Sequence, residues 1–314
     1  MRILVTGAAG FIGSHLGEAL LKSDHEVIGI DNFSNYYSKK IKEQNLSNAV
    51  KNPNFTFIHN DLATVDLSEL GSIDIVFHEA AQPGVRKSWG KSFDKYLKDN
   101  IAVTQRLLEF FKDKHLQKFI FASSSSVYGD SESYPTNENI PLYPVSPYGV
   151  SKLASEYLCS LYYRNYQLPA TMLRYFSVYG PRQRPDMLFN KAINAAITQS
   201  NISIYGNGNQ LRDFTYIDDI ISANLACLKK RVEGQIINIG GGDITSVNNA
   251  IKIIENHMDV SIKVTYTQQQ RGDVLKTSAD LTKAKKLLDY SPIVSIKNGL
   301  KNQIFWQQNI NDNQ

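Results

Sequence analysis

The sequence predicts an α/β fold, a doubly wound parallel sheet joined to a smaller α/β lobe, and three observations predict it. Short apolar, β-branched runs alternate with helical patterns through the first half. A glycine-rich turn separates the first run from the first helix, and the pattern loosens only after Phe176. Strands spaced by helices require right-handed βαβ crossovers, and hence parallel neighbours. At 314 residues the chain is longer than one compact core needs. The expected division is a large domain over 1–176 and a lobe made mainly from 177–314. Segments near 213–245 are expected to return to the first domain.

In chain order, Arg2–Thr6 reads as a buried strand and Phe11–Lys22 as a helix, with Ile12, Leu16, Ala19 and Leu20 on one face. Glu26–Asp31, Phe55–Ile58, Ile75–His78, Phe119–Ser123 and Ala170–Tyr175 are the further strands of the first half. Pro181 and Pro185 make Arg182–Met187 a loop. Lys191–Gln199, Asp218–Lys230, Val247–Met258 and Leu281–Leu288 read as helices, and Gln235–Ile239 as a short strand.

Composition narrows the function. The net charge is +4, but Lys and Arg are scattered and no nucleic-acid recognition motif accompanies them, so no nucleic-acid partner is expected. A mild basic excess suits a small anionic substrate. Cys159 and Cys227 form no C-x-x-C pair, and the six histidines show no ligand spacing; neither a disulfide framework nor a metal site is expected. No run of about 18 apolar residues exists to span a bilayer. Met1–Leu16 imitates a signal peptide, yet its glycines have a better use and no cleavage region follows. A cytoplasmic protein without membrane contact is the expectation.

That better use is a dinucleotide turn. Gly7, Gly10 and Gly13, with Phe11 and Ile12 between the last two, stand between the first strand and helix. Glycines there permit a tight turn, and the helix N-terminus presents N–H groups to a pyrophosphate. The spacing is G-x-x-G-x-x-G, which departs from the commoner fingerprint; alone it is also compatible with an ordinary turn. Asp31 supplies the context. It ends the second strand, where a carboxylate accepts from a ribose 2′-OH and repels a 2′-phosphate. Asn32-Phe33-Ser34 offers no arginine for such a phosphate, so NAD is favoured over NADP. Asp61, followed by Leu62, is a candidate for the adenine amino group or an ordinary loop cap. A Rossmann domain is the expected frame.

The chemistry points to Tyr148 and Lys152. Ser146 caps a helix, Pro147 fits its first turn, and the two side chains lie at i and i+4 on one face. Tyrosine, with a pKa of about 10, is a poor base near neutrality; lowering it by about three units takes roughly 4 kcal/mol. A neighbouring ammonium contributes to that. Tyr36 and Lys40 share the spacing but have no hydroxyl cluster before them. Tyr148 follows Ser123-Ser124-Ser125-Ser126, one of which is placed to bond the substrate oxygen whose proton Tyr148 removes.

With these motifs the chain resembles the extended short-chain dehydrogenase/reductase family over nearly its whole length. The resemblance runs from the Gly7 turn through His78-Glu79-Ala80-Ala81-Gln82, Asn100, the serine run and Tyr148/Lys152 to Asp280. It implies Ser124 as the catalytic serine, Tyr148 as base, and Lys152 as the group that orients the nicotinamide ribose and tunes the tyrosine. It implies that Ala80, Ala81, Gln82 and Tyr175 line the cofactor and that Asn100 supports the site. Family dehydratases carry an acidic pair after the serine, and decarboxylases a Glu in the second place. Ser125 and Ser126 stand there here, leaving hydride transfer and return, which is epimerisation.

Pro83–Ser88 and Tyr179–Met187 resemble segments of the family's UDP-glucuronate 4-epimerases. The implied reaction interconverts UDP-glucuronate and UDP-galacturonate through a 4-keto sugar. Serine hydroxyls 125 and 126 suit a carboxylate, and Arg86, Arg182 and Arg184 are candidates to supply charge or to serve as surface or phosphate contacts. Ser203, Tyr205 and Arg212 lie in stretches similar to the family's uracil and diphosphate segments, and Asp273 resembles a uridine-ribose contact. Ser177 and Leu188 match substrate-lining positions. Two alternatives stay open: a UDP-glucose or UDP-N-acetylglucosamine 4-epimerase, and a non-catalytic NAD-binding regulator. The family resemblance also implies a homodimer, through helices near Ile101–Lys114 and Tyr148–Tyr163.

Overall fold

The structure is a computed structural model that describes residues 1–131 and 133–311. Its first half runs β1 (Arg2–Thr6), α1 (Phe11–Leu21), β2 (Glu26–Asp31), α2 (Lys39–Leu46), β3 (Phe55–His59) and β4 (Ile75–His78). There follow α3 (Phe93–Tyr96), α4 (Val103–Phe111), β5 (Lys118–Ser124), α5 (Pro147–Tyr166) and β6 (Ala170–Tyr175). The second half contains β7 (Ser177–Tyr179), α6 (Leu188–Thr198), β8 (Asn201–Tyr205), β9 (Leu211–Tyr216) and α7 (Ile217–Lys229). It closes with β10 (Ile236–Ile239), β11 (Ile244–Ser246), α8 (Val247–Met258), β12 (Lys263–Thr267), α9 (Thr282–Leu288) and α10 (Ile296–Asn311).

Seven parallel strands form the central sheet in the order β10-β6-β5-β4-β1-β2-β3. Side chains alternate across it, as a period of two requires. Ile3, Val5, Ile75 and Phe77 enter one core with Leu16 and Leu20 of α1; Leu4, Val76, Phe119 and Phe121 enter the other with Leu107 and Phe111 of α4. Both faces are therefore covered, which is why these strands read as unbroken apolar runs. The chain reverses direction across the sheet between β1 and β4, and the crevice such a reversal leaves lies beyond the strands' carboxyl ends.

The second half is less regular than its pattern suggested. β10 completes the central sheet beside β6, while β11, β9 and β7 make a three-stranded sheet and β12 pairs in parallel with β8. The sequence reading has no strand at β7, β8, β9, β11 or β12, and no helix at α2 or α10. Between α3 and α4 the helix is continuous but carries a π turn over Leu97–Ala102, so it starts well before Ile101. No described helix is long and apolar enough to cross a membrane.

Candidate active site

The glycine turn is shaped by contacts that a side chain would destroy. A Cβ on Gly13 would lie 2.2 Å from the Gly7 carbonyl oxygen, and one on Gly7 would lie 2.8 Å from Ala80 Cα. Gly7 also adopts φ +67°, a conformation L side chains rarely take. The turn is anchored by Gly7 N–H donating to Ile30 O at 2.8 Å and Gly10 N–H to Gly7 O at 2.9 Å. Gly10 gives α1 no side-chain cap and no acidic residue occupies its first turn, so the dipole end is free to meet an anion. Below it, buried His78 joins Thr6 (2.8 Å) and Thr104 (3.0 Å). Burial pulls His78 down to about 3, which keeps it neutral.

Asp31 accepts the N–H groups of Ala9 (3.1 Å) and Phe33 (2.8 Å) and lines the crevice. Burial raises its pKa, and the Lys42 ammonium opposes the rise. Lys42 itself lines the crevice and donates to Ser34 O at 2.8 Å. The sequence reading missed it, because α2 was not recognised. Asp61 accepts from Ala63 N–H (2.9 Å) and Lys98 (2.7 Å) beside Asn32 and Leu62. These residues fit a dinucleotide: an open helix end for the pyrophosphate, and carboxylates where a ribose and an adenine amino group present donors.

At the opposite end, Ser146 caps α5 by accepting Gly149 N–H at 3.1 Å, with Pro147 in the first turn. Gly149 lets this helix end press on the serine run: a Cβ there would lie 2.4 Å from Ser126 O. The approach brings the Tyr148 ring beside the serine run that contains Ser124. Burial raises Tyr148, while Ser124 and the Arg184 guanidinium pull it back down. Ser124 Oγ also accepts Ser126 N–H at 3.1 Å and caps the short turn Ser125–Val127. Lys152 Nζ donates to Ala122 O at 2.7 Å; burial lowers its pKa to about 8, opposed chiefly by Glu79.

Behind these groups, a buried ion pair holds the strand end. Arg174 grips Glu156 at 2.7 and 2.9 Å and donates to Tyr128 at 2.8 Å, and Ser123 bonds Glu156. Asn100, on the π turn, accepts Gln82 N–H (2.7 Å) and donates to Gln82 O (3.2 Å) and Ser151 Oγ (2.8 Å). It thus ties the segment after β4 to α5 without lining the crevice. One crevice joins Gly7, Gly10–Gly13, Asp31, Asp61, Ala80–Gln82, Tyr148, Lys152, Tyr175 and Arg184. Tyr36 lines it too, but donates its hydroxyl to Asp186 at 3.1 Å, and Lys40 is exposed.

A model of the NAD dependent epimerase/dehydratase family matches residues 3–240. The chain belongs to that family. A UDP-glucuronate 4-epimerase of Thermodesulfobacterium geofontis is 40% identical over 311 residues, 97% of this chain and 95% of the relative. An uncharacterized UDP-glucose epimerase of Bacillus subtilis, YtcB, is 46% identical over 307 residues, 97% of each chain. Among solved structures, a UDP-glucuronic acid 4-epimerase from Bacillus cereus in complex with UDP-glucuronic acid and NAD superposes with TM-score 0.96. It is 46% identical, and the match covers 99% of this chain and 100% of that one. NAD is therefore the cofactor of this epimerase/dehydratase family member.

The candidate substrate residues fall into two groups. Arg86 pairs with Asp273 at 2.9 Å and stacks over Tyr205 at 4.3 Å, and Arg212, which feels both charges, donates to Val274 O at 2.7 Å. Arg184 instead sits in the crevice, bidentate to Asp186 at 2.9 and 3.0 Å. Arg182 is drawn away to Glu18 at 2.7 Å. Ser177 begins β7 and Leu188 begins α6, both half-buried, whereas Ser203 is exposed on β8. Glu79, which the sequence reading passed over, lines the crevice. A carboxylate directly after a wholly buried strand was the available signal.

Proposed function

We propose that this chain is a UDP-hexuronate 4-epimerase that interconverts UDP-glucuronate and UDP-galacturonate. The observation that carries it is one crevice lined by both Tyr148 and Arg184, with Ser124 near Tyr148 and Ser125 and Ser126 in the sequence places of eliminating carboxylates. The likeness to the Bacillus cereus enzyme, named for this reaction, supports the reading. Bound NAD supplies the acceptor, and later the donor, of the C4 hydride. Tyr148, its pKa pulled down against burial by Ser124 and the Arg184 charge, takes the O4 proton while Ser124 bonds the same oxygen. The 4-keto sugar turns over, and Tyr148 returns the proton after hydride reaches the other face.

Arg184 is the arginine we assign to the substrate carboxylate, exchanging Asp186 for it. Its charge is the one that reaches Tyr148. The Arg86–Tyr205–Arg212–Asp273 group is assigned to UDP, with Arg212 toward the diphosphate. The outer face of α5 exposes Val150, Tyr157 and Leu161, which supports a homodimer packed through α4 and α5. Two free, buried thiols suit the reducing cytoplasm.

The deciding experiment is NMR of UDP-glucuronate with the purified protein and no added cofactor, run beside UDP-glucose. UDP-galacturonate should accumulate to equilibrium, and UDP-glucose should react far more slowly. Faster turnover of UDP-glucose, as the name of the Bacillus subtilis relative suggests, would replace the uronate by a neutral hexose. Turnover of neither would leave an NAD-binding protein without this activity.

A further inference from the structure

Glu79 extends from the end of β4 into the floor of the crevice, which it shares with Lys152 and Tyr148. Its only hydrogen-bond partner among the described residues is Tyr175, whose hydroxyl lies 3.0 Å from Glu79 Oε1. That hydroxyl also meets both polar atoms of the Asn224 amide, Oδ1 at 2.9 Å and Nδ2 at 2.8 Å. The three groups therefore satisfy two proton arrangements without moving. With Glu79 ionised, Tyr175 donates to it and accepts from Asn224 Nδ2. With Glu79 protonated, the carboxyl donates to Tyr175, whose own proton turns to Asn224 Oδ1.

We propose that Glu79, through Tyr175 and Asn224, is a charge-matching residue for the cofactor: a carboxylate facing oxidised, cationic NAD⁺ and a neutral acid facing NADH. Removal of the ring's positive charge leaves a buried carboxylate poorly compensated, and a solvent proton restores the balance. The inference rests on NAD being the cofactor and is independent of which sugar is bound.

The other groups facing Glu79 leave this role to it. His78 on its own strand is neutral, and the glycine turn of α1 carries no charge. On α5, Lys152 is the one cation in direct electrostatic contact, at about 8, and Tyr148 is raised by burial. Tyr175 on β6 is held well above its usual value, and Cys227 on α7 is pushed up to about 12. Arg184 keeps its charge throughout. Enclosure raises Glu79 itself to about 7, with Tyr175 and Lys152 opposing. Glu79 thus titrates in the range where its proton occupancy responds to one neighbouring charge.

The test is to equilibrate the enzyme with defined NAD⁺:NADH mixtures from about pH 5 to about pH 9 and read the bound ratio by NADH absorbance. Binding of NAD⁺ relative to NADH should strengthen as pH rises, by up to about tenfold per unit where the two complexes differ in protonation. Glu79→Gln should flatten this slope below about pH 8 and shift the ratio toward NADH by about tenfold or more. If the wild-type ratio is flat, or its slope survives in E79Q, the proposal fails; a surviving slope above about pH 8 belongs to Lys152. Tyr175→Phe offers a second readout, because losing the donor to the carboxylate should move the slope to higher pH. An unmoved slope in Y175F overturns the proposal equally.

Discussion

Around Tyr148, the side chains proposed to react are held by backbone: Lys152 by the Ala122 carbonyl, Ser124 by the Ser126 amide, and Tyr148 by a capped helix start. In the Arg86 group, which does not line the Tyr148 crevice, charged side chains hold one another, with Arg86 on Asp273 and over Tyr205. The Arg86 side chain keeps 46% of its surface exposed, against 3% for the whole of Lys152. Backbone-held groups stay in place whether or not a ligand arrives. Ligand must compete with the paired ones, and water screens them meanwhile. The first group is thus suited to chemistry, and the second to grip and release.

Three substitutions measure that contrast. Tyr148→Phe should reduce epimerisation by on the order of 10²–10⁴, with folding and NAD content intact. Near-normal turnover by NMR would deprive this group of its base. Arg184→Met should cost UDP-glucuronate turnover about 10–100-fold and UDP-glucose turnover clearly less, since the neutral sugar loses only Arg184's electrostatic help to Tyr148. Equal losses on both sugars would make Arg184 a support for Tyr148 rather than a carboxylate ligand. Arg86→Ala should be mildest, raising KM by less than about fivefold with kcat unchanged, since an exposed ion pair contributes about 0.2–1 kcal/mol. A loss in kcat comparable to that of Tyr148→Phe would erase the distinction between the two groups.

The same contrast decided what the sequence revealed. β1, β2, β4 and β6 were legible to the residue because strands covered on both faces carry consecutive apolar residues, such as Ile3-Leu4-Val5 and Ile75-Val76-Phe77, between polar ends or around an occasional paired polar residue. β8 and β12 pair only with each other; Lys263-Val264-Thr265-Tyr266-Thr267 is mostly exposed, so no burial shaped its pattern. Tyr148 and Lys152 were legible because one helix carries both. The partners of Arg86 and Glu79 lie 187 and 96 positions away, and such pairings exist only once the chain is folded. The three candidate arginines could not be told apart by spacing; Glu18 and Asp186 separate them in space.

The π turn at Leu97–Ala102 makes the site intolerant of a change in chain length. A π turn holds one residue more than an α turn, so deleting a single residue there would yield a more regular helix. That repair would leave the flanking turns nearly in place, because the π turn's smaller rotation per residue absorbs the extra one, but it would redirect the side chains of the turn itself. Asn100 would swing away from Gln82 and Ser151, and the segment after β4 would lose its fastening to the helix that carries Tyr148. The irregular turn records a choice of alignment over local helical stability.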